Sequence, residues 1–259
     1  MTNAEIVQLY PSVQDQVSDE EWEMRVNLAA SYRLVELFDM SDMTRTHISA
    51  RVPGEDTFLL NPYGLMFSEV TASSLIKVDH EGNEINNSGP YKINPAGFTI
   101  HSAVHAHSHE FACVLHTHSE AGMAISAMGC GLLPISQHSM RFYNRISYHD
   151  YEGIALNLEE RERLIHDLGD NSNMILRNHG FLTAGRTVAD AFSQVFYLEK
   201  CAKSQIQAMS AVGLDGLVMP SPEVCEHTAQ QFERNTNFSQ LDWPGHLRRL
   251  DELDPSYAS

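Results

Sequence analysis

Three histidines lie at the ends of two apolar segments, and their spacing would allow them to bind one metal ion. His116 and His118 close the apolar segment 112–118, and His179 follows the apolar segment 174–177. Side chains at positions i and i+2 of a strand point to the same face, so the first two imidazoles can bind one ion together. If the two strands are neighbours, the third imidazole reaches the same point, with Gly180 giving the chain freedom to turn. Three neutral imidazoles with an open fourth position are the ligand set of catalytic zinc.

The histidine pattern alone also fits ordinary buried, hydrogen-bonded histidines, and we weigh the two interpretations equally. His101, His105 and His109 form a rival ligand set, because residues four apart share one face of a helix. For this second group we favour a partly solvated helix face. Glu69 and Glu120 are usable carboxylates, although an isolated glutamate usually lies at the surface.

The elements that must position these histidines are predicted from periodicity and from turn residues. Ser18 and Glu21 predict the start of a helix that continues to about Phe38, and a long helix is expected over 187–212. Further helices are expected at 99–109, after His118 as far as Met128, and from about residue 159. Strands are expected at 48–52, 57–60, 76–79, 84–85, 112–118 and 174–177.

This order of elements predicts an α/β protein, a three-layer α/β/α domain around a central, mainly antiparallel or mixed sheet. We expect an extended N-terminal lead-in at residues 1–17 and the domain itself at 18–213. Residues 214–259 carry several prolines and are expected to form a C-terminal appendage, packed on the domain or on a neighbouring subunit.

Composition limits the classes of partner. The protein has 259 residues, with 17 Lys and Arg against 34 Asp and Glu, which gives a formal net charge of −17. Nucleic acids and anionic membranes are bound by basic surfaces, so we expect neither as a partner. The sequence has no basic and apolar leader and no apolar run near the ~18 residues of a membrane helix. The four cysteines form no CxxC pair, which favours reduced thiols and a cytoplasmic protein.

Two further segments carry a resemblance to a known family. VLHTH at 114–118 and ILRNHGFLTAG at 175–185 resemble the class II aldolase/adducin family, over about residues 20–213. Within the family the sequence is more similar to adducin head domains. That closer likeness is found at residues 64–75, 96–102, 127–136 and 148–153.

The resemblance implies a fold, a cofactor and an assembly. It implies zinc or another divalent transition metal on His116, His118 and His179. In the sugar-phosphate aldolases and epimerases of this family, the ion polarises substrate oxygens and stabilises an enediolate while a carbon–carbon bond breaks or forms. Family members are commonly homotetramers with the metal near a subunit interface, and we expect the same here.

The sequence also departs from the family pattern. The acidic residue beside the metal in those enzymes falls on Gly97, which cannot accept a proton. The two serines that bind substrate phosphate fall on Pro95 and Ala96, and the asparagine of the early phosphate loop falls on His47. The resemblance therefore favours a small, non-phosphorylated hydroxy-carbonyl substrate. His138 lies near the position of an active-site tyrosine and is a candidate acid–base residue, or equally an ordinary loop histidine.

These features support two functions. The first is a metal-dependent carbon–carbon lyase in which His138 or a metal-bound hydroxide moves protons. The second is a non-catalytic, adducin-like scaffold or binding protein whose metal site is vestigial or structural. We favour the enzyme, because three aligned imidazoles are unusual for packing alone. Tyr257, near the end of the chain, is a further candidate to reach the site of a neighbouring subunit.

Overall fold

The protein is built around a single mixed β-sheet. The structure is a computed structural model, and it describes residues 3–153, 159–235 and 237–259. Its strands run in the order β4-β3-β2-β1-β5-β8-β7-β6. Neighbouring strands are antiparallel except β6 and β7, which are parallel. The bounds are β1 His47–Arg51, β2 Phe58–Leu60, β3 Ile76–Val78, β4 Glu84–Asn86, β5 Cys113–Thr117, β6 Ser147–His149, β7 Asn173–Leu176 and β8 Gly180–Gly185.

Helices cover both faces of this sheet, so the predicted three-layer α/β/α fold is confirmed. α3 and α6 bury their apolar side chains with β5, β7 and β8 on one face. α2, α7 and α9 pack on the other face, where they enclose the larger core. The bounds are α1 Asn3–Leu9, α2 Asp19–Leu37, α3 Pro95–His107, α4 Glu120–Ser126, α5 Gln137–Met140, α6 Glu160–Leu168, α7 Val188–Val212, α8 Pro222–Arg234 and α9 Phe238–Leu253.

The predicted start of α2 is correct in its cap. The Ser18 hydroxyl accepts a hydrogen bond from the Glu21 amide at 3.1 Å, which satisfies one free N–H of the first turn. The Glu21 carboxylate instead forms ion pairs with Arg25 and Lys77 at 2.9 Å and 2.7 Å. The Glu21 carboxylate pairs with Arg25 because Arg25 is only 1% exposed and its buried charge requires a partner.

The prediction of an extended lead-in at residues 1–17 is wrong for the part that the structure describes. Residues 3–9 form α1, whose Ile6 is fully buried beside the buried Tyr10. These two residues are four apart and lie on one helical face, so burying that face favours the helix. Residues 1 and 2 of the predicted lead-in lie outside the described residues.

The prediction assumed that the strand before His179 is a direct neighbour of the strand that ends at His116 and His118. In the structure these strands, β7 and β5, are not neighbours. β8 lies between β5 and β7 and pairs with both. The turn from β7 to β8 has its positive φ, +55°, at Asn178 rather than at Gly180. Gly180 is required for a different reason, because an added Cβ would stand 2.2 Å from the carbonyl oxygen of Thr117. The glycine therefore permits close contact between β8 and β5.

The C-terminal residues cover the larger core. Trp243 of α9 donates to Asn27 of α2 at 2.7 Å, and the carbonyl of Tyr257 accepts from the Ala72 amide at 2.8 Å. Arg33 reaches the same segment through an ion pair with Asp254 at 3.2 Å. The short 3-10 helix Pro255–Ala258 is thus held against α2.

Within residues 3–153, 159–235 and 237–259, no helix combines the length and the apolar character needed to cross a bilayer.

Candidate metal centre

The structure brings His116, His118 and His179 together at one end of the sheet. Nε2 of His118 lies 2.8 Å from Nε2 of His116 and 2.8 Å from Nε2 of His179. Nitrogens that bind one tetrahedral zinc at ~2.0–2.1 Å stand roughly 3.3–3.4 Å from one another, so the observed spacings are about 0.5 Å shorter and within reach of one ion. Among the described residues, this trio is the group of His, Cys, Asp and Glu side chains whose ligand atoms converge.

In two of these rings, those of His116 and His118, the Nδ1 atom is already hydrogen-bonded to another residue. Nδ1 of His116 lies 2.9 Å from the carbonyl oxygen of Phe181, which can only accept a hydrogen bond. Nδ1 of His118 lies 3.0 Å from a carboxylate oxygen of Asp42. Both Nδ1 atoms therefore carry the hydrogen, and in the neutral rings both Nε2 atoms present lone pairs to each other. Lone pairs at 2.8 Å repel unless a cation lies between them, so the donor set fits a divalent metal.

Burial keeps two of the three rings, those of His116 and His179, in the neutral form that binds metals. Desolvation, with a contribution from His118, lowers the pKa of His179 to about 4. Desolvation also lowers the pKa of His116 well below its usual range, helped by the neighbouring imidazoles. Near neutral pH the two rings are therefore available as ligands without first losing a proton.

The backbone holds His179 through α4. The His179 amide donates to the Ser126 hydroxyl at 3.1 Å, and the Asn178 amide donates to the Ser126 carbonyl at 3.2 Å. Arg177 donates to the Met128 carbonyl at 2.8 Å and lies over the ring of Tyr148. The turn that carries the His179 imidazole is thus held by hydrogen bonds to α4 and to the residue Met128 that follows it.

A fourth imidazole, His47, lies beside the centre and takes the space next to Gly97. His47 stands directly opposite His116 in the β1–β5 pairing, and the two ring centroids are 5.1 Å apart. A Cβ added at Gly97 would lie 2.5 Å from Cδ2 of His47. Position 97 therefore has no room for a side chain while His47 keeps this orientation. Desolvation lowers the pKa of His47 to about 3, with further contributions from His118 and His179.

The partly solvated helix face predicted for His101, His105 and His109 is wrong for the first two. His101 and His105 are fully buried, whereas His109 follows the end of α3 and is exposed. The buried pair faces β1, where the Ser49 hydroxyl lies 2.6 Å from Nδ1 of His101 and 2.7 Å from Nε2 of His105. The three do not form a rival metal site within the described residues, because Ser49 takes up the nitrogens that face the sheet.

The other predicted residues are not part of the converging ligand group among the described residues. His138 in α5 packs its ring on Tyr197 of α7, with centroids 4.8 Å apart. It has no hydrogen bond or ring contact with the candidate ligands among the described residues, so its acid–base role stays a prediction. Glu69 accepts from the Met66 amide at 2.8 Å, and Glu120 is exposed in the first turn of α4. Tyr257 is buried, 3% exposed, within its own subunit.

Asp42 and Ser126, which orient the ligands, were not predicted from the sequence, and neither was the place of His47 beside the centre. Asp42 lies in the irregular segment between α2 and β1, where an isolated carboxylate carries no periodic signal. A signal for His47 was present in the sequence. His47 and Ser49 share one face of β1, and His101 and His105 share one face of α3, so the two polar pairs can face each other.

Comparison with known protein families gives a match over most of the chain. Residues 26–206 match the family model described as Class II Aldolase and Adducin N-terminal domain.

Three relatives illustrate its range. A solved structure of an aldolase II superfamily protein from Pseudomonas syringae is 49% identical, with a TM-score of 0.92 and coverage of 96% of this chain and 100% of the other. Rat alpha-adducin (Rattus norvegicus) is 43% identical over 203 residues, which are 77% of this chain and 28% of adducin. L-fuculose 1-phosphate aldolase from Glaciozyma antarctica is 26% identical, with a TM-score of 0.81 and coverage of 96% and 98%.

Proposed function

This chain belongs to the class II aldolase and adducin N-terminal family, and from that premise we propose that it is a divalent-metal-dependent carbon–carbon lyase. Its substrate is a small, non-phosphorylated hydroxy-carbonyl compound. The metal is zinc or another divalent transition metal, held by His116, His118 and His179. The working form is a cytoplasmic homotetramer.

The observation that carries this proposal is the convergence of three Nε2 atoms, two of which belong to rings held by a hydrogen bond at Nδ1. Phe181 and Asp42 accept the Nδ1 hydrogens of His116 and His118 at 2.9 Å and 3.0 Å. Such partners fix the tautomer and the angle of a metal-binding imidazole. A histidine cluster that only packs a core has no need for two Nε2 lone pairs that face each other beside a third imidazole nitrogen.

A bound divalent cation would polarise a carbonyl oxygen and stabilise the negative charge of an enediolate while a carbon–carbon bond breaks. His116, His118 and His179 would hold that cation through three nitrogens, and a fourth position would then be available to a small molecule. His118 is only partly buried and His179 is half-buried at the turn before β8, so the centre is reached from the surface.

The surroundings support a substrate without phosphate. α3 begins at Pro95, which has no N–H to donate to a phosphate oxygen. His47 is 4% exposed and its Nδ1 is already bound to His101 at 2.8 Å. Pro95 thus offers a phosphate oxygen no N–H, and Nδ1 of His47 is not available as a donor to it.

Bound metal and bond cleavage test the proposal together. The purified chain is assayed for metal by inductively coupled plasma mass spectrometry, then screened for retro-aldol cleavage of non-phosphorylated ketoses and hydroxy acids. We expect about one divalent ion per chain and cleavage that a chelator abolishes. His118→Gln should lose both, whereas His109→Gln, at an exposed position, should keep both. A folded protein without metal affinity would refute the proposal.

The second candidate function is an adducin-like scaffold or binding protein with a structural metal. The observation in its favour is Gly97, where the space for a carboxylate is filled, together with the 43% identity to alpha-adducin. This function predicts one metal per chain and no cleavage of any substrate in the screen. It further predicts that removing the metal lowers the melting temperature without loss of an activity.

A further inference from the structure

Four buried polar side chains form a continuous hydrogen-bonded chain that begins at the candidate metal centre. Nδ1 of His47 lies 2.8 Å from Nε2 of His101, and Nδ1 of His101 lies 2.6 Å from the Ser49 hydroxyl. The same hydroxyl lies 2.7 Å from Nε2 of His105. None of the four is more than 4% exposed. Hydrogen bonds offset part of the cost of burying polar groups, so these three contacts make the four side chains a built feature of the core.

Two periodicities align the chain. His47 and Ser49 are two apart on β1 and share one face of the strand. His101 and His105 are four apart on α3 and share the helical face that packs on β1. Each residue of one pair therefore meets the other pair across the contact between helix and sheet.

The ring of His47 is fixed at the end of this chain that faces the metal centre. Its Cδ2 and Nε2 edge lies against Gly97, where an added Cβ would stand 2.5 Å from Cδ2 and 3.0 Å from Nε2. His116, one of the three ligands, is its direct cross-strand neighbour. No described residue forms a hydrogen bond with Nε2 of His47. This nitrogen is the open end of the chain.

The Ser49 hydroxyl gives the chain a direction. It has one hydrogen and lies between two ring nitrogens, so it donates to one of them and accepts from the other. If it donates to His105, then His101 donates to Ser49, His47 donates to His101, and Nε2 of His47 carries a lone pair. If it donates to His101, every bond reverses and Nε2 of His47 carries a hydrogen.

We propose that His47 is the catalytic residue that accepts and returns the substrate's proton, and that His101 and Ser49 are positioning residues that set its tautomer. This inference rests on the proposed lyase function. In the cleavage direction, Nε2 of His47 takes the proton of the substrate hydroxyl, and the O–H electron pair forms the carbonyl of the departing aldehyde. The electron pair of the broken carbon–carbon bond forms the enediolate double bond. Nε2 then returns the proton to the enediolate carbon, so no other reactant is consumed.

Proton exchange into a small ketone tests this role without knowledge of the natural substrate. The zinc-loaded protein is incubated with dihydroxyacetone in D2O, and loss of the carbon-bound proton signal is followed by NMR. We expect exchange by the wild type and a reduction of about 100-fold or more in His47→Gln, the usual range for loss of a general acid–base group. Zinc content and the Kd for glycolohydroxamate, an enediolate mimic, should stay within about 3-fold. His109→Gln is the matched control.

The positioning residues are tested with a conservative pair. Ser49→Thr keeps a hydroxyl and should retain exchange, whereas Ser49→Ala should reduce the saturated rate roughly 10-fold, as loss of an orienting partner does. The dihydroxyacetone concentration for half-saturation should not change in either variant. Equal rates in the two variants would remove Ser49 and His101 from the mechanism.

Two outcomes separate this inference from the function beneath it. If the wild type exchanges the proton and His47→Gln does so equally fast, the role of His47 is wrong and the lyase proposal stands. If the zinc-loaded wild type neither exchanges protons nor cleaves any compound in the screen, both proposals fail.

Thermal unfolding of the metal-free protein gives a readout that does not depend on activity. Gly97→Ala should lower the melting temperature by roughly 5 °C, because the new methyl group overlaps the fixed His47 ring. In the His47→Ala background the same change should have little effect. Additive shifts would show that the ring is not held against Gly97, and the proposed geometry would then be wrong.

Discussion

Asp42 accepts a hydrogen bond from Nδ1 of His118 at 3.0 Å, although 76 residues separate the two in the sequence. The carboxylate lies between α2 and β1, and the imidazole directly follows β5. Pairing of β1 with β5 brings the two segments together. The contact fixes the tautomer of His118 and aims its Nε2 at the other two ligands.

Asp42→Asn should therefore weaken metal binding while the fold is kept. An amide oxygen accepts the same hydrogen bond but without negative charge, so it orients and polarises the ring less well. Loss of such partners typically costs 10–100-fold in metal affinity, and we expect a zinc Kd raised by about that factor. Competition with a chromophoric chelator measures it. Asp39→Asn is the matched control, and equal affinities of the two variants would contradict the assigned role.

Gly180→Ala should reduce both stability and metal affinity. The new methyl group would meet the carbonyl oxygen of Thr117 at 2.2 Å, so β8 must move away from β5 and carry His179 with it. Strain of this kind costs about 1–3 kcal/mol in the free energy of unfolding. Urea denaturation and zinc titration measure the two effects. Gly129→Ala, where an added Cβ has nothing within 4 Å, should leave both quantities unchanged.

Acid should destabilise the metal-free protein through its buried histidines. The pKa of His105 is lowered to about 3, mainly by desolvation, and that of an unfolded histidine is ~6.5. Between these values the unfolded chain binds the extra proton, so the free energy of unfolding falls as pH falls from 6.5 towards 3. Each such histidine contributes up to ~1.4 kcal/mol per pH unit.

Urea midpoints of the chelated protein at pH 7.5, 6.5, 5.5 and 4.5 test this dependence. Stability should fall modestly between the first two values and more steeply below them. His105→Gln should reduce the slope by about one proton, whereas His109→Gln should not. A constant midpoint down to pH 4.5 would show that the buried histidines do not control acid stability.

The three candidate ligands were accessible from the sequence because short-range rules place them. Alternation along β5 sets His116 and His118, and the apolar strand before His179 marks a second sheet segment. Helix starts were accessible for the same reason, as the caps of Ser18 and Thr187 depend on residues three positions away.

The features that were not predicted from the sequence depend on contacts between residues far apart in the chain. β8 carries glycine at both ends, and its strand conformation depends on hydrogen bonds to β5 and β7 on either side. His101 and His105 were expected to be partly solvated because their partner, Ser49, comes from a strand more than 50 residues away. A polar residue can be assigned to the core only when the group that satisfies it is known.

Tyr257 should stabilise its own subunit rather than serve a neighbouring site. It is 3% exposed, its hydroxyl donates to Asp251 at 2.8 Å, and its carbonyl accepts from Ala72. Tyr257→Ala should lower the free energy of unfolding by about 3–5 kcal/mol, the range for removing a buried aromatic ring. Tyr257→Phe should cost only about 1 kcal/mol through the lost hydrogen bond and should leave retro-aldol activity unchanged. Tyr63→Ala, at a position 43% exposed, is the stability control. Lost activity in Tyr257→Phe at unchanged stability would instead place this hydroxyl at an active site.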